Sequence, residues 1–162
     1  MIAIKRILVP HDFSETSEAA VRYGAALART FGAKLHLLHV SEKERTDVET
    51  EFPLGLDGTQ EDASRERLLK IMTPQQLTEL TPELSLRPGT PHAEIVRYAK
   101  DHDIDLIVMG THGRGFVAHA VMGSVAEKVV RHAPCPVLTV RNPQHEFVVP
   151  DEATKPGARV TM

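Results

Sequence analysis

Between Gly110 and Ser124 the chain reads GTHGRGFVAHAVMGS, a stretch lying between an aliphatic run and a segment of helical periodicity. Glycines at such a junction let the backbone take unusual dihedrals and come close to a ligand. The first N–H groups of a helix lack intrahelical partners, and with the helix dipole they attract anions. Phosphate is the guest this chemistry suits. Gly113 could pass its backbone beside a phosphoryl group, and Gly123 could allow a sharp entry into the helix. Ser124 could offer both N–H and hydroxyl, and the Arg114 guanidinium, set between glycines, pairs well with phosphoryl oxygens. The same residues admit a plainer reading: glycines serve a tight turn with or without a ligand, Ser124 is a helix cap, and Arg114 is a solvated charge.

Other residue types able to do chemistry are less informative. Asp12 follows the first aliphatic run and could serve a ligand or cap the next helix. Nine histidines are present, but there is no H-E-x-x-H motif or H-x-x-x-H pair to hold a metal. His36 and His39 fall on opposite faces of a strand. His112 and His119, within the glycine stretch, read first as solvated loop residues, although either could reach a phosphate or a divalent ion. Cys135 stands between Pro134 and Pro136 without a flanking charge to activate it, and is read as structural.

The elements that must position these groups alternate as short strands and longer helices, the pattern of a parallel sheet with crossover connections. A strand over Ile4 to Val9 ends at Pro10. Ser14 then caps a helix with Glu15 and Glu18 in its first turn, Ala20, Tyr23, Leu27 and Phe31 on one face, and Gly32 as its stop. Strands follow at Lys34 to Val40, Glu83 to Arg87, Asp105 to Met109 and Pro136 to Val140. The periodicity predicts a helix from Glu61 to Met72, using Leu68, Leu69 and Met72, with a break at Thr73-Pro74 where a new helix begins. Two further helices are predicted: Pro91 to His102, turning Ile95, Val96 and Ala99 inward, and Ser124 to His132, presenting Val125, Ala126, Val129 and Val130. Residues 41–60 form a polar, turn-rich excursion. Residues 142–162 form a polar tail with little apolar surface to order it, in which Phe147, Val148 and Val149 are the part suited to docking.

Composition narrows the partners. The 162 residues carry Lys+Arg 19 against Asp+Glu 22, a net charge of -3, and only 4% aromatics. No basic stripe marks a nucleic-acid surface, and few rings are available for stacking bases. No apolar run is long enough for a bilayer, the N-terminal MIAIKRILVPHDFSE is too short in apolar residues for a secretory signal, and one cysteine excludes an internal disulfide. A cytoplasmic protein with no membrane partner is expected.

The spacing Gly110-x-x-Gly113, nine residues, Gly123-Ser124 resembles the ATP-binding pattern of the universal stress protein family. Further landmarks occur in order: ILVPHDFSETSEAAVRYGAALA, LHLLHV, DLIVMGTHGRG and HAPCPVLTV, so that the resemblance spans residues 3–141. It implies a single α/β domain over 1–141, with an open parallel five-stranded sheet in the order 3-2-1-4-5 and helices on both faces. It implies an adenine nucleotide (ATP, ADP or AMP, with Mg2+ as a companion ion) in the crevice beyond strands one and four. By the same resemblance Asp12 lies at the adenosine, the Val40 main chain meets the adenine edge, and Pro10 and Met109 line the base and ribose pocket. Gly113, Arg114, Gly123, Ser124 and Val125 surround the phosphates, and Phe13, Gly110 and His112 are further nucleotide-binding positions. A homodimer through strand five is implied too. There is no G-x-x-x-x-G-K-[ST] motif, so nucleotide binding with slow or no hydrolysis is expected. A nucleotide-independent interaction module and a slow ATPase are the alternative readings.

Overall fold

A computed structural model describes residues 1–42, 58–111, 122–141 and 148 of the chain. Its elements run β1 (Arg6–Pro10), α1 (Glu15–Phe31), β2 (Lys34–Ser41), α2 (Gly58–Leu69), α3 (Pro74–Leu80), β3 (Glu83–Pro88), α4 (Pro91–Asp101), β4 (Leu106–Gly110), α5 (Ser124–His132) and β5 (Val137–Val140). All four strand pairings are parallel, and the order is β3-β2-β1-β4-β5, as the resemblance implied.

Strands buried on both faces read as continuous aliphatic runs because helices cover both sides. Ile7, Val9, Leu35, Leu37 and Val108 point into one cluster with Ala19, Ala20, Ala25 and Ala28 of α1. Leu8, Leu38, Ile107 and Met109 point into the other, with Ile95, Tyr98 and Ala99 of α4 and Ala126 and Val129 of α5. Burial of each large aliphatic side chain stabilises the fold by about 1.5–3 kcal/mol. The small residues of α1 let the helix settle closely on the sheet. A Cβ at Gly24 would collide with the Val9 side chain, and a Cβ at Gly110 would come within 2.8 Å of the Thr16 carbonyl carbon. Gly110 is therefore required by the approach of α1 to the end of β4, independently of any ligand.

The helix signals act as their chemistry demands. Ser14 is the extended N-cap of α1 and accepts from the Ser17 N–H at 3.3 Å, while Gly32, at φ 62, closes the helix. Thr73 opens α3 with a reciprocal capping box to Gln76. Arg29 of α1 grips Glu79 of α3 through two 2.8 Å hydrogen bonds. Several helix expectations shift. The second helix begins earlier, at Gly58, and ends at Leu69, leaving Met72 buried just past its end and Leu69 exposed. Phe31 and Val130 are exposed because they sit in the terminal turns, where the helices run past the sheet. On α4 the inward ring is Tyr98, which is more deeply buried than Val96. Within the polar tail, Val148 packs against the α1-side core. The remainder of 142–162 and residues 43–57 of the excursion lie outside the described residues.

Candidate functional site

Strand β1 pairs with both β2 and β4, and the connections out of β1 and β4 leave toward opposite faces of the sheet. A crevice therefore opens beyond their carboxyl ends, where α/β sheets take their ligands. At the β1 end Pro10 is buried, and the backbone then turns through His11, Asp12 and Phe13 into α1. Asp12 Oδ1 accepts from the Ser14 N–H at 3.0 Å, the Ser14 hydroxyl at 2.5 Å and the Ser17 hydroxyl at 2.6 Å. Burial works to raise the Asp12 carboxyl, but these hydrogen bonds outweigh it and hold it below its ordinary 3.8. Asp12 thus builds the turn that enters α1, while the N-cap itself is Ser14.

Phe13 occupies the left-handed region at φ 65, uncommon for a bulky residue. Its N–H donates to His11 Nδ1 at 2.9 Å, and its ring lies 4.7 Å from the His39 ring and 3.8 Å from the Arg67 guanidinium of α2. His11 is itself buried, and that burial lowers its pKa from 6.5 to about 4. Neither His11 nor Arg67 was singled out by motif. Their signal is tertiary: His11 is joined to Phe13 by the turn after β1, and Arg67 reaches the same ring from α2, distant in sequence.

At the end of β2 the direction of the main chain matters. The Leu38 carbonyl accepts from the His11 N–H on the β1 side, and the Ser41 carbonyl accepts from the Gly89 N–H on the β3 side. Main-chain polar groups alternate sides residue by residue along a strand, so those of Val40 turn toward β1. The β1 pairing stops at Pro10 with Leu38, which directs the Val40 N–H and carbonyl to the crevice.

On the far side, β4 ends at Gly110. Thr111 is buried, donates its N–H to the Val140 carbonyl at 2.9 Å and accepts the Gly123 N–H through a short hydrogen bond. That bond pins the start of α5 to the end of β4. The N-cap is Gly123, at an ordinary φ of -69, and Ser124 is the first helical residue and exposed; the cap expected at Ser124 thus sits one residue earlier. The Glu127 N–H is the first to reach back within the helix, to the Gly123 carbonyl, so Ser124, Val125 and Ala126 present N–H groups beyond the helix end. Val125 is half-buried, and Met109 is buried against Leu8 and Ala126 in the α4–α5 cluster. The structure brings Pro10, Asp12, Phe13, Val40, Met109, Gly110, Gly123, Ser124 and Val125 to the carboxyl edge of the sheet, whereas His112, Gly113, Arg114 and His119 lie outside the described residues. Among the described residues no cluster of three or more metal-ligating side chains occurs. Cys135 is half-buried, and burial raises its thiol pKa, with the Asp105 carboxylate adding to the effect.

A five-stranded parallel sheet in the order β3-β2-β1-β4-β5, with helices on both faces and a switch-point crevice at its carboxyl edge, defines an open parallel α/β protein. The universal stress protein family model matches residues 3–141, and the chain belongs to that family. It is 32% identical over 149 residues to a universal stress protein of Methanocaldococcus jannaschii, covering 88% of this chain and 85% of the relative. It is similar at 29% identity to the solved structure of the universal stress protein UspA from Lactobacillus plantarum, with a TM-score of 0.70 over 87% of this chain and 100% of that one. Two more distant structures share the fold. A universal stress protein in complex with cAMP has a TM-score of 0.61 at 23% identity, covering 86% of this chain and 98% of that one. One from Archaeoglobus fulgidus in complex with dAMP has a TM-score of 0.56 at 21% identity, covering 86% and 99%.

Proposed function

We propose that this universal stress protein is an adenine-nucleotide-binding regulatory protein of the stress response, its nucleotide held in the crevice beyond β1 and β4. The observation that carries the reading is the start of α5, tied by Gly123 to Thr111 at the end of β4, with the Ser124 and Val125 N–H groups beside the switch point. A phosphate there gains the helix dipole and directed donors. The Val40 main chain supplies the base contact, which suits a chain with 4% aromatics. Pro10, Phe13 and Met109 wall the base and ribose, Asp12 stands at the adenosine, and Gly110, His112, Gly113 and Arg114 complete the phosphate side, with Mg2+ as the companion of ATP. Relatives of the same fold solved with cAMP and dAMP support an adenine ligand. The working unit is a cytoplasmic homodimer joined along β5, an edge strand of the sheet.

Linkage tests this directly. At ATP one hundred times its dissociation constant, the folded chain gains about 2.7 kcal/mol, read as a raised melting temperature with ATP and Mg2+. Gly113→Asp places a carboxylate where phosphate sits and is expected to abolish the shift while leaving the ligand-free melt in place. An unshifted wild-type melt at millimolar ATP, or a retained shift in the variant, refutes the reading.

A further inference from the structure

We propose that His11 is a positioning residue of the crevice: acting as an acceptor at Nδ1, its ring holds Phe13 in the left-handed conformation and so presets the Asp12–Ser14 turn on which the site is built. The inference rests on the nucleotide reading above. Its starting point is the direction of one hydrogen bond. The Phe13 main chain donates to His11 Nδ1 at 2.9 Å, so this nitrogen carries no proton. The remaining proton of the neutral ring sits on Nε2, a buried atom without a partner among the described residues. A leucine in the same space would leave no orphaned donor, so packing alone does not account for an imidazole at this position.

The bond is made where the backbone most needs holding. Phe13 at φ 65 is bulky and not glycine, and such conformations persist only where the surroundings over-determine them. Here the ring is also fixed on several sides. The His11 ring meets its edge at 5.2 Å, the His39 ring lies at 4.7 Å, and Arg67 of α2 covers it at 3.8 Å. His39 Nδ1 is in turn 2.8 Å from the His11 carbonyl oxygen, closing the cluster between the ends of β1 and β2. The adjoining residue is Asp12, whose Oδ1 gathers three donors from Ser14 and Ser17 only while the chain turns this way. His11 thus acts on the crevice through the conformation of its neighbours rather than by touching the ligand.

The test compares two substitutions in the full chain by calorimetric titration with ATP and Mg2+. Asn keeps an acceptor within reach of the Phe13 N–H, and Leu fills the space without one. His11→Asn is expected to bind within about threefold of wild type and His11→Leu to be weakened about tenfold, the scale of one lost buried hydrogen bond. A second measurement needs no variant: nitrogen NMR of histidine-labelled wild-type protein is expected to show His11 as the neutral Nε2–H tautomer from pH 8 to 6. Equal affinities for the two variants, or a proton on Nδ1, overturn the proposal while leaving nucleotide binding intact. A wild-type chain that binds no ATP overturns the nucleotide reading and this proposal with it.

Discussion

His11 and His36 are both buried imidazoles whose Nε2 has no partner among the described residues, and both are kept from charging by burial, yet they serve the fold differently. His36 sits mid-strand in β2, opposite Leu8, and faces α4. Its Nδ1 shares a 2.9 Å hydrogen bond with the Tyr98 hydroxyl, which also meets the Ser85 hydroxyl of β3 at 3.2 Å. The Tyr98 ring stacks at 3.8 Å on His102 and carries the Arg87 guanidinium at 4.8 Å. That network joins two strands and a helix through side chains. His11 bonds the main chain two residues away and shapes a single turn. A polar group that bridges layers contributes to the stability of the whole domain, whereas one that folds back on its own loop contributes to the form of the site.

The comparison can be broken most forcefully at Tyr98. Tyr98→Ala empties a fully buried ring site and is expected to cost about 3–5 kcal/mol in urea unfolding, with ATP affinity of the remaining folded protein within about twofold of wild type. A large loss of affinity at unchanged stability would erase the distinction between the two regions.

Acid brings the two histidines together. Each has a folded-state pKa below the ordinary 6.5, so the unfolded chain takes up protons first as the pH falls. Their stability is fully present above pH 6.5, and the His11 share is lost progressively down to about 4. For His11 the full loss is on the order of 3 kcal/mol. Urea midpoints measured from pH 7.5 to 4.5 are expected to decline, and the decline should be shallower in His11→Asn and His36→Asn alike. A flat wild-type profile would contradict the buried, neutral state of both rings.

The smallest effect on stability is expected at Asp12. Asp12→Ala removes the acceptor of three hydrogen bonds at the α1 entry and is expected to cost about 1–2 kcal/mol, while ATP affinity falls about tenfold, equivalent to 1.4 kcal/mol. Stability lost without any change in affinity would reduce Asp12 to a cap.

Local chemistry made much of this readable in advance. Ser14, Gly32 and the Thr73-Pro74 break declared helix ends because caps depend on neighbours in sequence, and the aliphatic runs declared strands because both faces of the sheet are covered. What stayed hidden depends on distant partners. Tyr98 was not among the inward residues read from its helix, since its hydroxyl is answered by His36 and Ser85 from other elements. Phe13 carries no residue-type signal for a left-handed backbone, and Arg67 meets it from α2. Gly110 was legible as a special glycine, but the clash of any Cβ there with Thr16 was not, because Thr16 reaches it from α1. The register that turns Val40 toward the crevice was likewise invisible until β2 was paired on both sides.

The close seating of α1 has a consequence for mutational surveys. Gly24 and Gly110 are the two points where this helix meets backbone and side chain too closely for any Cβ, one over Val9 and one under Thr16. In a library selected for ligand binding, both positions would be returned as invariant, Gly24 from mid-helix against the core, and would pass for recognition residues. Selecting the same library for folding alone would separate them, since Gly24 and Gly110 would remain fixed while positions answering only to the ligand would drift.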